Sequence, residues 1–143
     1  MKLFKKNAVL LAWVISFFAT FGSLFYSEIL KLPPCVLCWY QRIFMYPLVL
    51  IIGIGIVKKD KNMPLYALVM SSIGGVIALF HYLLQMGIIP DALAPCVQGI
   101  SCTSRLIEYF GFITIPFMSL VAFVVIAVSM GVVWGGGEEE LVT

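Results

Sequence analysis

Pro33-Pro34-Cys35-Val36-Leu37-Cys38-Trp39-Tyr40-Gln41-Arg42 is the stretch on which the reading of this chain turns. It holds two of the chain's four cysteines, and its Arg42 is, with Arg105, one of the only arginines. It also lies where one long apolar run ends and the next begins. Two thiols at C-x-x-C spacing can close a disulfide on each other or share a metal. A proline is favoured at a helix start, where its missing N–H would be unpaired anyway. Pro33-Pro34 is therefore expected to open a helix that carries both cysteines in its first two turns.

The surroundings of this stretch set the solvent. Of 143 residues, 62% are hydrophobic and 11% charged, with a mean hydropathy of +1.09. A water-soluble domain of this length has too little interior to hide that much apolar surface. Four spans of about 20 residues would take about 80 residues and leave only short loops and tails. The expectation is an all-α membrane protein: one integral domain over 1–143, folded as a four-transmembrane-helix bundle. The spans fall at about 8–29, 38–57, 65–86 and 113–133, with outer loops at about 30–37 and 87–112. The first run is longer than a signal-peptide core and passes through Phe25-Tyr26-Ser27-Glu28 without a small-x-small cleavage site, so it reads as a retained helix. The Gly135-to-Thr143 tail, with its Gly and Glu runs, reads as disordered. A net charge of +2, thinly spread, gives no reason to expect nucleic acid.

Orientation follows from the cations. Lys2, Lys5, Lys6, Lys58, Lys59 and Lys61 lie toward one side, and Lys31, Arg42 and Arg105 toward the other. The positive-inside rule then puts both termini in the cytoplasm. Aromatic residues suit the same frame, with Trp13, Tyr66 and Trp134 toward the inner ends and Tyr26, Trp39, Tyr40, Tyr82 and Tyr109 toward the outer ends. All four cysteines face outward, on the oxidising side, where paired thiols suggest disulfides.

The second cysteine pair, Cys96 and Cys102, sits among Pro, Gly and Ser in the long outer loop, a setting expected to be exposed and mobile. Cys35 and Cys38 instead stand at a helix N-terminus, whose partial positive charge favours a thiolate. Arg42, four residues after Cys38, shares its helix face. An arginine at lipid depth is costly and points to function, against the simpler reading of snorkelling beside Trp39 and Tyr40. His81 and Gln85 share a face of the third helix near its outer end and suit hydrogen bonding to a ligand carbonyl, or to a neighbouring helix. Gly22, Gly53, Gly55, Gly74 and Gly75 read as close-packing positions; no strand precedes them, so no nucleotide loop is implied. Leu106 to Phe110 has room for a short interfacial helix. On spacing alone the cysteines admit a redox relay, structural loop staples or a Cys₄ zinc cluster; the six-residue step from Cys96 to Cys102 disfavours the last.

The Pro-Cys-Val-Leu-Cys-x-Tyr-x-Arg run at 34–42, the His-x-x-x-Gln stretch at 81–85, the loop cysteine pair and the four spans together resemble the disulfide bond formation protein B family of membrane thiol:quinone oxidoreductases. The likeness is nearest to its short-loop branch from Gram-positive bacteria. The resemblance implies disulfides Cys35–Cys38 and Cys96–Cys102, all four cysteines being catalytic. Cys38 would face a quinone (menaquinone or ubiquinone), with Arg42 on the quinone oxygen and His81 and Gln85 nearby. Cys96 would take electrons from an extracytoplasmic thioredoxin-fold, DsbA-like dithiol oxidase, and Cys102 would relay them. It implies no metal, a place in the bacterial cell membrane and exchange with its quinone pool. Gln41 stands where relatives often carry Glu and is given no role. Two rivals are a vitamin K epoxide reductase-like enzyme, in which the C-x-x-C follows the loop cysteines rather than preceding them, and a non-enzymatic membrane protein whose disulfides only brace loops.

Overall fold

The structure, a computed structural model, describes residues 2–94, 108–111 and 113–136. Four helices dominate these: α1 (Lys2–Leu24), α2 (Val36–Lys58), α3 (Met63–Gln85) and α4 (Ile115–Gly135). Each, with α1 running on to Ile29, is long and apolar enough to cross a membrane. They pack in a ring, α2 against α1 and α3, and α4 against α3 and α1. The first and last helices therefore close the bundle, and the two described ends of the chain lie together: Lys5 Nζ donates to the Gly136 carbonyl at 2.5 Å. A cation at the C-terminus of α4 meets carbonyls with no intrahelical partner, which is where it stabilises most.

Lipid rather than water explains the surface. Phe18, Phe21, Ile43, Leu50, Val69, Val76, Val124 and Val128 all point outward and are exposed. Inside, Leu48, Ile52, Met63, Phe123, Ile126 and Met130 form the core, joined by Ala12, Ala67 and Ala78. Small residues let the backbones approach, as in other membrane bundles. A Cβ at Gly74 would overlap the Phe123 ring, and one at Gly55 would overlap the Met63 side chain. Gly22, read from sequence as a packing position, instead faces open space.

Several expectations need correcting. The prolines do not open α2: its N-cap is Cys35, with φ −77° and ψ 173°, and Val36 is the first helical residue. Pro34 disfavours helical φ/ψ at Pro33, so the segment stays extended until the second proline is passed. Helix α1 starts at Lys2 and ends in a π-helical turn, Phe25–Ile29. The indole N–H of Trp13 donates to the Val49 carbonyl at 3.2 Å and so links α1 to α2. Of the segment 106–110, read from sequence as room for a short interfacial helix, residues 106 and 107 lie outside the described residues and 108–110 are not helical. Glu108–Tyr109 is a strand paired antiparallel with Ile113–Thr114, and Phe110 and Gly111 turn between them at φ 55° and 80°. Proline helps open the other two helices as expected, with Pro64 and Pro116 in the first turns of α3 and α4.

Candidate functional site

The N-terminus of α2 builds the site. Cys35 is the N-cap and Cys38 the third helical residue, the two positions between which an N-cap side chain normally reaches. Their Sγ atoms lie 3.3 Å apart as unbonded thiols. A disulfide needs about 2.0 Å, so closing it asks for only a small side-chain rotation. As residues, Cys35 is buried and Cys38 half-buried, so the pair stands at the margin of the packed interior.

His81, fully buried on α3, supplies the next layer. Its Nε2 lies 3.6 Å from Cys35 Sγ and its Nδ1 lies 2.9 Å from Gln41 Nε2. Gln41 Oε1 in turn accepts from Ser119 on α4, whose hydroxyl also lies 3.1 Å from the Pro116 carbonyl. With the amide placed this way, Gln41 donates to Nδ1, so the imidazole proton sits on Nε2 and points at Cys35. A chain of polar groups from α4 through α2 to α3 thus ends on one sulfur. The Cys35 thiol is held well below its ordinary 9.0, at about 4, first by the hydrogen bond from Cys38 and then by that from His81, against the opposing effect of burial. The negative charge of the reduced pair therefore rests on Cys35, the N-cap, where the helix terminus also favours it.

Arg42 faces the other way. At about 100° per residue, Cys38 lies angularly between Gln41 and Arg42 on the helix below it. Arg42 points to α1, donating to Ser27 Oγ at 3.4 Å and the Ser23 carbonyl at 3.3 Å, with its Cζ 5.3 Å from the Trp39 ring centroid. The π-helical turn of α1 begins between those two partners, at Phe25. Half-buried Arg42 has five N–H donors, and these two contacts engage only part of them among the described residues. Trp39, against which Arg42 rests, is exposed, as are Tyr40 and Ile43 on the same turns of α2.

Of the sequence-derived candidates, the structure brings Cys35, Cys38 and His81 together, sets Arg42 on the opposite flank of Cys38, and buries Gln85 one turn beyond His81. Cys96 and Cys102, their pairing, and the tail beyond Gly136 lie outside the described residues. Sequence reasoning passed over two residues. Gln41 carried a signal, because it interrupts the buried stripe Leu37, Met45, Leu48, Ile52 at helical spacing. A polar side chain there must find partners. Ser119 carried none, since a serine can satisfy itself on its own helix.

The sequence that builds this site matches known proteins along most of its length. The family profile described as "Disulfide bond formation protein DsbB" matches residues 5–133. The chain is 50% identical over 124 residues to the "Probable disulfide formation protein C 1" of Bacillus anthracis, covering 87% of this chain and 89% of that protein. It is 47% identical over 128 residues to the "Disulfide bond formation protein C" of Bacillus subtilis, covering 90% and 93%. With the "Probable disulfide formation protein" of Oceanobacillus iheyensis it shares 50% over 130 residues, covering 89% and 90%. No solved structure matches it. A multi-pass chain with two thiols at the head of a membrane helix, matched along most of its length by these proteins, belongs to the DsbB family of disulfide bond formation proteins.

Proposed function

We propose that this thiol oxidoreductase reoxidises an extracytoplasmic thioredoxin-fold dithiol protein and passes the two electrons to a membrane quinone, supporting disulfide formation in exported proteins. The observation that carries the reading is the setting of Cys38: a half-buried cysteine, its sulfur 3.3 Å from that of Cys35, with half-buried Arg42 one turn below.

The exchange steps follow from thiol chemistry. A partner thiolate attacks the Cys96–Cys102 disulfide, and the partner's second thiol releases itself as a disulfide. A loop thiolate then attacks Cys35 of the Cys35–Cys38 disulfide, and Cys38 leaves. The second loop cysteine attacks the resulting mixed disulfide, restoring Cys96–Cys102 and expelling Cys35. A sulfur held at about pKa 4 is a good leaving group, which gives His81 and Gln41 their part in this step.

A quinone, when bound, supplies the oxidant that takes two electrons from the reduced pair. The residues fit such a group. Arg42 offers donors at a polar-to-apolar boundary, Trp39 and Ile43 give flat and aliphatic walls, and Cys38 stands over them. Arg42 orients an acceptor oxygen and stabilises negative charge there, and the apolar walls exclude water. The active site then faces the extracytoplasmic side, with both termini in the cytoplasm, a reading the lysine distribution supports.

Detergent-purified protein should reduce ubiquinone or menaquinone with dithiothreitol as donor. Cys38→Ser should abolish turnover. Turnover unaffected by Cys38→Ser would remove the basis of the reading.

A further inference from the structure

The same cluster has a second chemical capacity, and it appears only when the pair is reduced. Cys35 Sγ, Cys38 Sγ and His81 Nε2 converge from two helices, all within 4.8 Å of one another. Tetrahedral zinc, about 2.3 Å from sulfur and about 2.0–2.1 Å from nitrogen, sets two sulfurs about 3.8 Å apart and a sulfur and a nitrogen about 3.5 Å apart. Cys35 and His81 already stand at 3.6 Å, and the sulfurs, at 3.3 Å, need to open by only about 0.5 Å. We propose that the reduced enzyme binds one zinc ion through Cys35, Cys38 and His81, and that closing the Cys35–Cys38 disulfide expels it.

The surrounding groups allow this without leaving a polar atom unpaired. To bind metal, Nε2 must be bare and Nδ1 must carry the proton. A half-turn of the Gln41 amide provides for that: its carbonyl then accepts from Nδ1, its amino group donates to Ser119 Oγ, and the Ser119 hydroxyl keeps the Pro116 carbonyl at 3.1 Å. Both amide orientations keep His81 Nδ1 and Ser119 Oγ paired with Gln41; in the first the Ser119 hydroxyl donates to Gln41, and in the second it is free to donate to the Pro116 carbonyl. One presents N–H to the Cys35 thiolate, and the other presents a lone pair to a metal. A carbonyl behind a ligating imidazole is the usual outer support of a zinc site.

Charge favours the ion as well. Two thiolates and Zn²⁺ sum to zero, so the loaded site puts no net charge at the membrane boundary, where an isolated ion is costly. Binding releases the protons still held by the thiols and transfers no electrons. Half-buried Cys38 gives the route in, and the fourth tetrahedral position is left to water. Zinc would thus hold the enzyme reduced and block re-formation of the disulfide. The inference rests on Cys35–Cys38 as the redox pair and is independent of quinone and partner.

The test uses full-length protein carrying Cys96→Ser and Cys102→Ser, so that only the α2 pair offers thiols. After reduction and removal of reductant, zinc is titrated against a chromophoric chelator. One equivalent should bind, and diamide oxidation should release it. Gln41→Leu should weaken binding by roughly 10- to 100-fold, as loss of an outer-shell partner does. His81→Ala should weaken it at least as far, and His81→Cys, which restores a ligand, should recover it. Failure of the reduced protein to bind a stoichiometric ion overturns the proposal. So does unchanged affinity in both His81→Ala and Gln41→Leu, which would mean the two thiols chelate adventitiously on their own. Because no quinone is present, either result leaves the oxidoreductase reading to its own test.

Discussion

His81 Nε2 lies 3.6 Å from the sulfur of Cys35, the helix-capping cysteine, while its other nitrogen is held 2.9 Å from Gln41. The histidine therefore serves the sulfur of buried Cys35, and Arg42 flanks half-buried Cys38 from the other side of α2. Under the proposed function, two cysteines three residues apart take different jobs: Cys35 holds charge and leaves, and Cys38 meets the oxidant.

The Cys35 thiol should stay reactive in acid. In the reduced protein, alkylation of Cys35 by iodoacetamide followed by mass spectrometry should persist well below pH 7 and fade toward pH 4. His81→Ala should move that midpoint upward. The folded value of about 4 lies below the ordinary 9.0, so the thiolate stabilises the reduced fold most above pH 9 and the benefit drains as pH falls toward 4. A midpoint unmoved by His81→Ala would contradict this part of the account.

Gln41→Leu keeps the volume and removes the link between Ser119 and His81. Buried partners left unsatisfied cost about 1–3 kcal/mol, so thermal unfolding in detergent should come earlier by that amount. Exchange at Cys35 should slow as well, read from the rate at which a small dithiol reduces the pair. Normal stability and rate in this variant would show the polar chain to be inert.

Arg42→Ala should raise the apparent KM for quinone by an order of magnitude or more, about 1.4 kcal/mol, with thiol exchange at Cys35 little changed. Arg42→Lys should recover little of it. A lysine cannot reproduce the planar fork that stacks on Trp39 and reaches Ser23 and Ser27 together. Steady-state quinone reduction separates the two.

Gly74→Ala tests the bundle itself. The added methyl meets the Phe123 ring at the α3–α4 contact and should cost about 1–3 kcal/mol in unfolding experiments. Phe123→Leu in the same chain should recover part of the loss, and Gly22→Ala, in open space, should cost far less.

The bundle was legible because lipid imposes length and composition: α3 and α4 can be read almost directly from their apolar runs and opening prolines. The start of α2 was less so. Pro at a helix start and the extended bias of a residue before Pro point in opposite directions at Pro33-Pro34, and the structure settles on Cys35 as the cap. The π-helical turn after Leu24 and the hairpin before α4 left no periodic signature, each being too short to have one. In the site, Cys35, Cys38, Arg42 and His81 stood out as costly residues in an apolar chain. What could not be read was direction. Adjacent Gln41 and Arg42 turn to opposite flanks of α2, and only packed helices reveal that His81 reaches the first of the two cysteines.

The central claim, that the Cys35–Cys38 pair gives its electrons to quinone, is tested most directly by a single turnover without oxygen. Protein carrying Cys96→Ser and Cys102→Ser is reduced, freed of reductant and mixed with a known amount of quinone. The account predicts that one quinone is lost, by absorbance, for each Cys35–Cys38 disulfide found by thiol counting. Quinone that stays oxidised while both thiols remain free would contradict it.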